Sequence, residues 1–473
     1  MMSPSPSDPV ADPTGESSRE KSPRPSFGSR VAGVFVTRIF QFGFALLVTF
    51  MLARLLGPAG RGIYYTLTLI PGTLYAVATF GLPSSLTFFS GRGASLPALR
   101  RQAIGLSVAA SIWLILGTVV VLPVLRQTVL QTVPSGLLPW ILATIPFQFT
   151  GALLGTVLYG RQEIRVYNLI QVAQSAATLV LILVLVGGLG LEVFGAVLTY
   201  FSTAALGAVA VLFELGRVIR RRRGEPAGSV SSRSILGYGF RLYPAVVTGF
   251  FNYRADVYIL NWMLNSAAAT GLYSLAVSLA EITFYVPDAV SSIFLPHVAA
   301  SSRESANRSV ADVSRLTILL TLFAGVVVMP VGMIAIVVVL PAFVGSIPAF
   351  LILLPGVVAL SLSKVLTGYV TGLGSARPTV VASSAALFAN VVANVVLIPA
   401  WGITGAASAS LISYSLNAGL MLRAASRMSG VAVRHFVVPE RADMTRFVAL
   451  LKTVLRRGMA WRAARVRPNR EAQ

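Results

Sequence analysis

Leu316-Thr317-Ile318-Leu319-Leu320-Thr321-Leu322-Phe323-Ala324-Gly325-Val326-Val327-Val328-Met329-Pro330-Val331-Gly332-Met333-Ile334-Ala335-Ile336-Val337-Val338-Val339-Leu340 carries no ionisable side chain. About 20 such residues carry a helix across the ~30 Å hydrocarbon core of a bilayer. Backbone N–H and C=O groups find no water there, so the run must be a helix whose polar groups bond within the segment. Outward from it, similar apolar runs cover 31–51, 63–82, 104–125, 137–159, 169–186 and 193–212. After a basic break they resume at 243–264, 271–295, 316–340, 350–370, 380–398 and 406–422. With 55% hydrophobic residues and a mean hydropathy of +0.78, the fold class expected is an all-α polytopic membrane protein of roughly 12 transmembrane helices. The alternation of barrel strands is absent.

Basic residues near span ends stay on the cytoplasmic side, and here they fall in every second connection. Arg92, Arg100 and Arg101, then Arg161 and Arg165, then Arg217, the run 220–223 and Arg233, then Arg303, Arg308 and Arg315, then Arg377 lie in the even connections. The odd connections hold Arg54, Arg61 and Arg126. With both tails included, 31 of the 38 basic residues share one side. The chain is therefore expected in the inner membrane of a bacterium with both termini cytoplasmic.

This alternation also explains the net charge of +22 without nucleic acid, since no basic motif of a soluble nucleic-acid domain is present. The absence of cysteine excludes disulfides, thiolate metal sites and cysteine nucleophiles. His297 and His435 are too far apart in sequence to suggest a histidine metal site, and no cofactor is expected. No phosphate loop or nucleotide fingerprint occurs, and the short outward connections lack acids and bases, so transport is favoured over an enzyme.

Five regions are expected. Residues 1–30, rich in Ser and Pro, read as a disordered cytoplasmic tail, and 31–215 as a first six-helix lobe. Residues 216–235 read as a basic cytoplasmic linker, 236–423 as a second six-helix lobe, and 424–473 as a basic tail. Within that tail, 441–467 interleaves Phe447, Leu451 and Trp461 with Arg446, Lys452 and Arg457. The pattern reads either as an amphipathic helix on anionic lipid head groups or as a solvated basic tail.

The two lobes carry traces of a repeat. Gly62-Ile63-Tyr64 matches Gly271-Leu272-Tyr273, and Leu55 matches Leu264, at an offset of 209. Gly195-Ala196 matches Gly405-Ala406 near the same offset, and Gly160 resembles Gly374. Six spans per repeat with equal orientation imply a pseudo-two-fold axis along the membrane normal.

The segment Leu52-Ala53-Arg54-Leu55-Leu56-Gly57-Pro58-Ala59-Gly60-Arg61-Gly62-Ile63-Tyr64 resembles the signature of Wzx-type polysaccharide-biosynthesis flippases of the multidrug/oligosaccharidyl-lipid/polysaccharide superfamily. Tyr253-Arg254-Ala255-Asp256-Val257-Tyr258-Ile259-Leu260, with 271–276, is similar to the counterpart region of the same family, and the resemblance spans about residues 31–422. It implies two six-helix lobes around a central cavity. It also implies movement of a polyprenyl-diphosphate-linked oligosaccharide between leaflets by alternating access, with a glycan polymerase and glycosyltransferases as possible partners.

Ionisable groups at membrane depth are costly and usually face a bundle interior or a wet cavity. Arg38, Arg254 and Lys364 are the candidate cations for a diphosphate, against snorkelling for Arg38 and structural ion pairing for the others. Asp256 and Glu281 are candidate carriers of a coupling proton or sodium ion, against neutralising Arg254 or Lys364; Asp288 is a weaker candidate. Asn390 and Asn394 share one helical face and either bond sugar hydroxyls or hold helices together. A cation-coupled multidrug exporter and a non-transporting scaffold of glycan assembly are the alternatives to the flippase.

Overall fold

The computed structural model describes residues 27–222, 228 and 230–449. Most of the expected N-terminal tail, and the surface helix beyond residue 449, lie outside the described residues. Thirteen α-helices follow one another: α1 (Phe27–Ala78), α2 (Leu82–Gly91), α3 (Leu96–Gln127), α4 (Leu138–Gly160), α5 (Ile164–Leu181), α6 (Glu192–Arg221), α7 (Ser232–Leu264), α8 (Ala267–Ala280), α9 (Tyr285–Ala300), α10 (Arg303–Ile334), α11 (Ile347–Gly372), α12 (Arg377–Ser429) and α13 (Arg434–Val437). Among the described residues there is no strand, only one isolated bridge between Ala94 and Gly228.

Nine segments are long and apolar enough to cross a membrane, among the described residues. Two of them hold two expected spans each. In α1 the expected connection between spans shrinks to Gly57, whose φ of 63° interrupts the helix. That left-handed conformation suits glycine, and Pro58 restarts the helix because its missing N–H is not needed at a first position. Gly402, with φ 55°, divides α12 in the same way. The helix α7, which carries Arg254 and Asp256, is not among the nine.

The span expected at 271–295 falls on one membrane-length segment, Ala267–Ser291, whose helix changes type partway. Helix α8 ends at Ala280, a 3-10 turn covers Glu281–Phe284, and α9 begins at Tyr285. Pro287 has no N–H for the Thr283 carbonyl, so the α-helical ladder fails there and the chain tightens. The expected linker 216–235 is also encroached upon by helix. Helix α6 runs to Arg221, and α7 starts at Ser232 with Ser231 Oγ accepting the Ser234 N–H at 3.1 Å. Gly228 is tied to the start of α3, its carbonyl accepting the Ser95 N–H at 3.0 Å.

Side chains such as Trp113, Val120, Val338 and Phe388 stand outward and exposed, a pattern suited to lipid and not to water. The buried apolar groups follow the two halves of the chain. Leu86, Leu99, Val157 and Leu215 form one cluster, and Val310, Leu366, Tyr369 and Ala425 another. A third, around Tyr273, Phe343 and Phe350, takes in Ala53 and Leu69 of α1 and so joins the halves.

The tightest junction is the crossing of α1 and α8. A Cβ on Gly62 would lie 1.8 Å from the Ala267 carbonyl oxygen, and one on Gly271 1.8 Å from that of Pro58. The two glycines matched by the 209-residue offset thus face each other at the seam between the halves. Further along, Gly81 (φ 73°) and Gly239 meet similarly, a Cβ on Gly81 falling 2.2 Å from the Gly239 carbonyl oxygen.

The described start of the C-terminal basic segment packs on α10. Arg315 donates to Asp443 at 2.5 Å, to Asp312 at 2.6 Å and to the His435 carbonyl at 2.6 Å. Arg446 pairs with Asp312 at 3.0 Å, and the Phe447 ring lies 5.7 Å from that of Phe323. Burial alone would raise the Asp443 carboxyl, but the Glu440 N–H and the Arg315 guanidinium carry it below the usual carboxylate value.

Candidate functional site

Charged and polar side chains converge on the seam where α1 meets α7, α8 and the 3-10 turn. Arg254, on α7, forks onto Glu281, with Nη1 donating to Oε1 at 2.9 Å and Nη2 to Oε2 at 3.3 Å. Its Nη1 also reaches the Tyr65 hydroxyl of α1 at 3.4 Å. A bidentate guanidinium–carboxylate pair is a strong, directional contact, and this one holds the 3-10 turn against α7 with a link to α1.

Asp256 stands two residues from Arg254 and faces away from it, as that spacing on a helix requires. It is buried, accepting from the Tyr273 hydroxyl at 2.5 Å, from Ser410 Oγ at 2.9 Å and from the Val257 N–H at 2.8 Å. Nearby, Ser413 Oγ donates to Asn252 Oδ1 at 2.6 Å. These oxygen atoms from α7, α8 and α12 form a compact polar site in the second half of the chain.

Lys364, on α11, donates to Asp288 at 2.7 Å. Its ammonium lies 4.0 Å from the centre of the Phe284 ring and 5.9 Å from that of Tyr253. The Arg254–Glu281 and Lys364–Asp288 pairs are therefore neighbours around one aromatic group. Asn390 and Asn394 do share a face. Asn394 Nδ2 donates to the Asn390 carbonyl at 2.8 Å and to its Oδ1 at 2.9 Å, while Asn390 Nδ2 and Asn394 Oδ1 are buried without a partner among the described residues. They belong to α12, apart from the Arg254 cluster. Arg38 falls within α1, but its side chain lies outside the described ones.

Arg61, expected in an outward connection, is instead a buried residue of a helix. Arg61 lies in α1 and is only 5% exposed. It donates through Nε to Ser274 Oγ at 3.0 Å, through Nη2 to Ser278 Oγ at 3.2 Å and through Nη1 to the Thr49 carbonyl at 2.8 Å. Among the described residues no carboxylate pairs with it. The signal was present in Gly57-Pro58 and Gly60-Arg61-Gly62: a one-residue break leaves no loop for Arg61, and flanking glycines allow close helix approach.

Ser274, Ser278 and Glu281 follow at four and three residues, one stripe of a helical segment. Arg61 of α1 and Arg254 of α7 thus sit in succession along the same stripe. Beside it lies a cavity of about 300 Å³ between Phe42, Leu46 and Thr49 of α1 and Ser278, Glu281 and Asp288. A larger cavity of about 590 Å³ lies in the first half of the chain, among α1, α4, α5 and α6. Among the described residues no cluster of metal-ligating side chains occurs.

The family described as "Polysaccharide biosynthesis protein" matches residues 30–287. Among solved structures, the chain is similar to a lipid II flippase MurJ in an inward closed conformation, with a TM-score of 0.63 at 12% identity, over 83% of this chain and 86% of that one. It is also similar to the eukaryotic MATE transporter AtDTX14, with a TM-score of 0.61 at 15% identity over 86% and 97% of the two chains. A superfamily transporter from Pyrococcus furiosus matches with a TM-score of 0.52 at 14% identity, over 85% and 95%. At such identities the likeness is one of fold, that of the multidrug/oligosaccharidyl-lipid/polysaccharide transporters. No curated protein matches the sequence.

Proposed function

The chain belongs to the polysaccharide biosynthesis protein family, and from that premise we propose that it is a flippase for a polyprenyl-diphosphate-linked oligosaccharide in the inner membrane of a bacterium. Two six-helix lobes, both termini cytoplasmic, move the lipid-linked glycan outward by alternating access. The supporting observation is the pair of guanidinium groups, Arg61 of α1 and Arg254 of α7, ranged along one stripe beside the 300 Å³ cavity. Arginine forks match phosphate oxygens bidentately, so a diphosphate lying along that stripe would engage both lobes at once. Arg38, one helical turn before the cavity residue Phe42, and Lys364 supply further positive charge.

Glu281 gives the site a switch. While ionised it occupies both Nη groups of Arg254. A proton taken up by Glu281 removes that charge, and the freed guanidinium is then open to a diphosphate. Asp256, with the oxygens of Tyr273 and Ser410 beside it, is the second candidate for a coupling proton or sodium ion. Asn390 and Asn394 contribute buried amide groups to the second lobe. Anionic lipid head groups meet the basic segments on the cytoplasmic side, and a glycan polymerase and glycosyltransferases act before and after the flipping step.

A cation-coupled multidrug exporter is the second reading, favoured by one feature: the 300 Å³ cavity is lined by Glu281 and Asp288 among Phe42, Phe284 and Tyr285, a setting that suits a cation. Deleting the gene tests both. The flippase reading expects loss of surface polysaccharide with lipid-linked oligosaccharide retained on the cytoplasmic leaflet. Normal surface glycan with heightened sensitivity to cationic drugs would reject it in favour of the exporter.

A further inference from the structure

The larger cavity, inside the first lobe, takes no part in the charged stripe. Its volume of about 590 Å³ lies within the roughly 300–1,000 Å³ typical of ligand-holding pockets. Among its polar lining residues are Tyr64, Tyr75, Gln148, Gln171, Gln174 and Tyr200, and no Asp, Glu, Lys or Arg lines it among the described residues. Such a lining excludes several guests. A diphosphate would meet no cation, a cationic drug no carboxylate, and a polyprenyl chain would leave the amides and hydroxyls unbonded at a cost of about 1–3 kcal/mol each.

The hydrogen bonds within the wall leave a definite set of groups over. Gln171 Nε2 donates to the Tyr167 hydroxyl at 2.9 Å, and Gln174 Nε2 to the Thr203 carbonyl at 3.1 Å. The Tyr200 hydroxyl donates to Gln148 Oε1 at 3.3 Å. The Gln171 and Gln174 carbonyl oxygens and the Gln148 amide nitrogen take no protein partner among the described residues. Acceptors and donors thus stand beside aromatic rings, and hydroxyl groups need both kinds of partner while the C–H face of a sugar ring packs on an aromatic face.

Small residues keep the space open. Gly151 and Gly207 border it, and a Cβ on Gly207 would fall 1.7 Å from Gln174 Nε2.

From these features we infer that the first-lobe cavity binds uncharged sugar residues of the transported glycan, separately from the cationic stripe that holds its diphosphate. This rests on the flippase reading and deepens it by assigning the two chemical parts of the substrate to two sites. Glycan selectivity then lies in Gln148, Gln171 and Gln174, while Arg61 and Arg254 serve any lipid diphosphate.

The test uses the full chain in lipid nanodiscs and two probes. One is the glycan released by mild acid from the lipid-linked pool of the deletion strain; the other is undecaprenyl diphosphate. The released glycan should bind the wild type and bind Gln148→Leu and Gln171→Leu at least about tenfold more weakly, with undecaprenyl diphosphate unaffected. Arg254→Gln should do the reverse. Gly207→Ala, which adds no polar group and only displaces the Gln174 amide, should also weaken the glycan and serves if the leucine variants fold poorly. Equal binding of the glycan to the wild type and all three first-lobe variants, in a strain that does accumulate lipid-linked glycan, would overturn the inference and leave the flippase reading standing. A deletion strain without accumulated lipid-linked glycan would overturn the flippase reading and the inference with it.

Discussion

Adding one methyl group at Gly62 should pry the two halves apart. A Cβ there would lie 1.8 Å from the Ala267 carbonyl oxygen and 2.9 Å from the Gly271 nitrogen, where ordinary contact begins near 3.4 Å. Both neighbours are backbone, so α1 and α8 must separate by about 1.6 Å at their crossing. Overpacking of a close contact costs about 1–3 kcal/mol, and that penalty falls on the conformation in which the crossing is closed. The population with the seam open should then rise roughly 5- to 150-fold. The chain has no cysteine, so a single Ala53→Cys, at a position 1% exposed in the cluster joining the halves, reports opening by its rate of reaction with a membrane-impermeant maleimide. Gly62→Ala should accelerate labelling by at least about fivefold. Gly43→Ala, in the same helix with nothing within 4 Å of the added carbon, should leave it unchanged. Unchanged labelling in a well-folded Gly62→Ala protein would refute the assignment of this crossing as a closing contact.

Arg61→Gln removes the buried cation while sparing Ser274 and Ser278, and should reduce export of surface glycan at least about tenfold with protein still in the membrane, read by immunoblot and surface-glycan staining; charge-assisted bonds of about 1.5–3 kcal/mol each set that scale. Glu281→Gln frees the Arg254 fork, so binding of undecaprenyl diphosphate to the purified protein should tighten while transport slows; weaker binding would contradict the switch. Asp256→Asn should uncouple transport, and collapsing the ion gradient in the wild type should stop flipping; full activity in both cases would remove the coupling role. The Asp443 carboxyl lies below the ordinary carboxylate value in the folded chain, so its contribution is present above the unfolded value near 3.8 and is lost as pH falls through the lower folded one. Amide protection across 434–449, measured relative to the intrinsic exchange rate at each pH, should therefore fall in acid in the wild type, and Asp443→Asn should show reduced protection already at neutral pH.

Much of the architecture was legible from one kind of signal, the length and spacing of apolar runs, because the bilayer leaves the backbone a single option. Positions within it were less so. The span expected at 271–295 is there as Ala267–Ser291, but the 3-10 turn at Glu281 inside it was not legible, since hydropathy does not register the donor that Pro287 lacks. The offset pairing Gly62 with Gly271 was visible as a repeat, but that the two glycines touch is a fact of packing no linear spacing contains. Arg254 and Glu281 were both singled out by their depth; their pairing, 27 residues apart in sequence, depends on how the 3-10 turn faces α7. Arg61 was missed because a charge beside Gly-Pro reads as a loop residue, whereas Gly57 turns the chain in a single step and returns Arg61 to the helix. The first-lobe cavity left no trace, as Gln148, Gln171 and Tyr200 come from three helices and none is ionisable.

The most direct measurement is leaflet transfer in reconstituted vesicles. Lipid-linked glycan purified from the deletion strain would be incorporated with the protein, and the fraction open to an impermeant glycan oxidant followed over time. A flippase should bring glycan from the inner leaflet into the accessible pool, at a rate cut sharply by Arg61→Gln or Arg254→Gln. An accessible fraction that stays fixed at its initial value in the presence of active protein and an imposed ion gradient would contradict the flippase assignment.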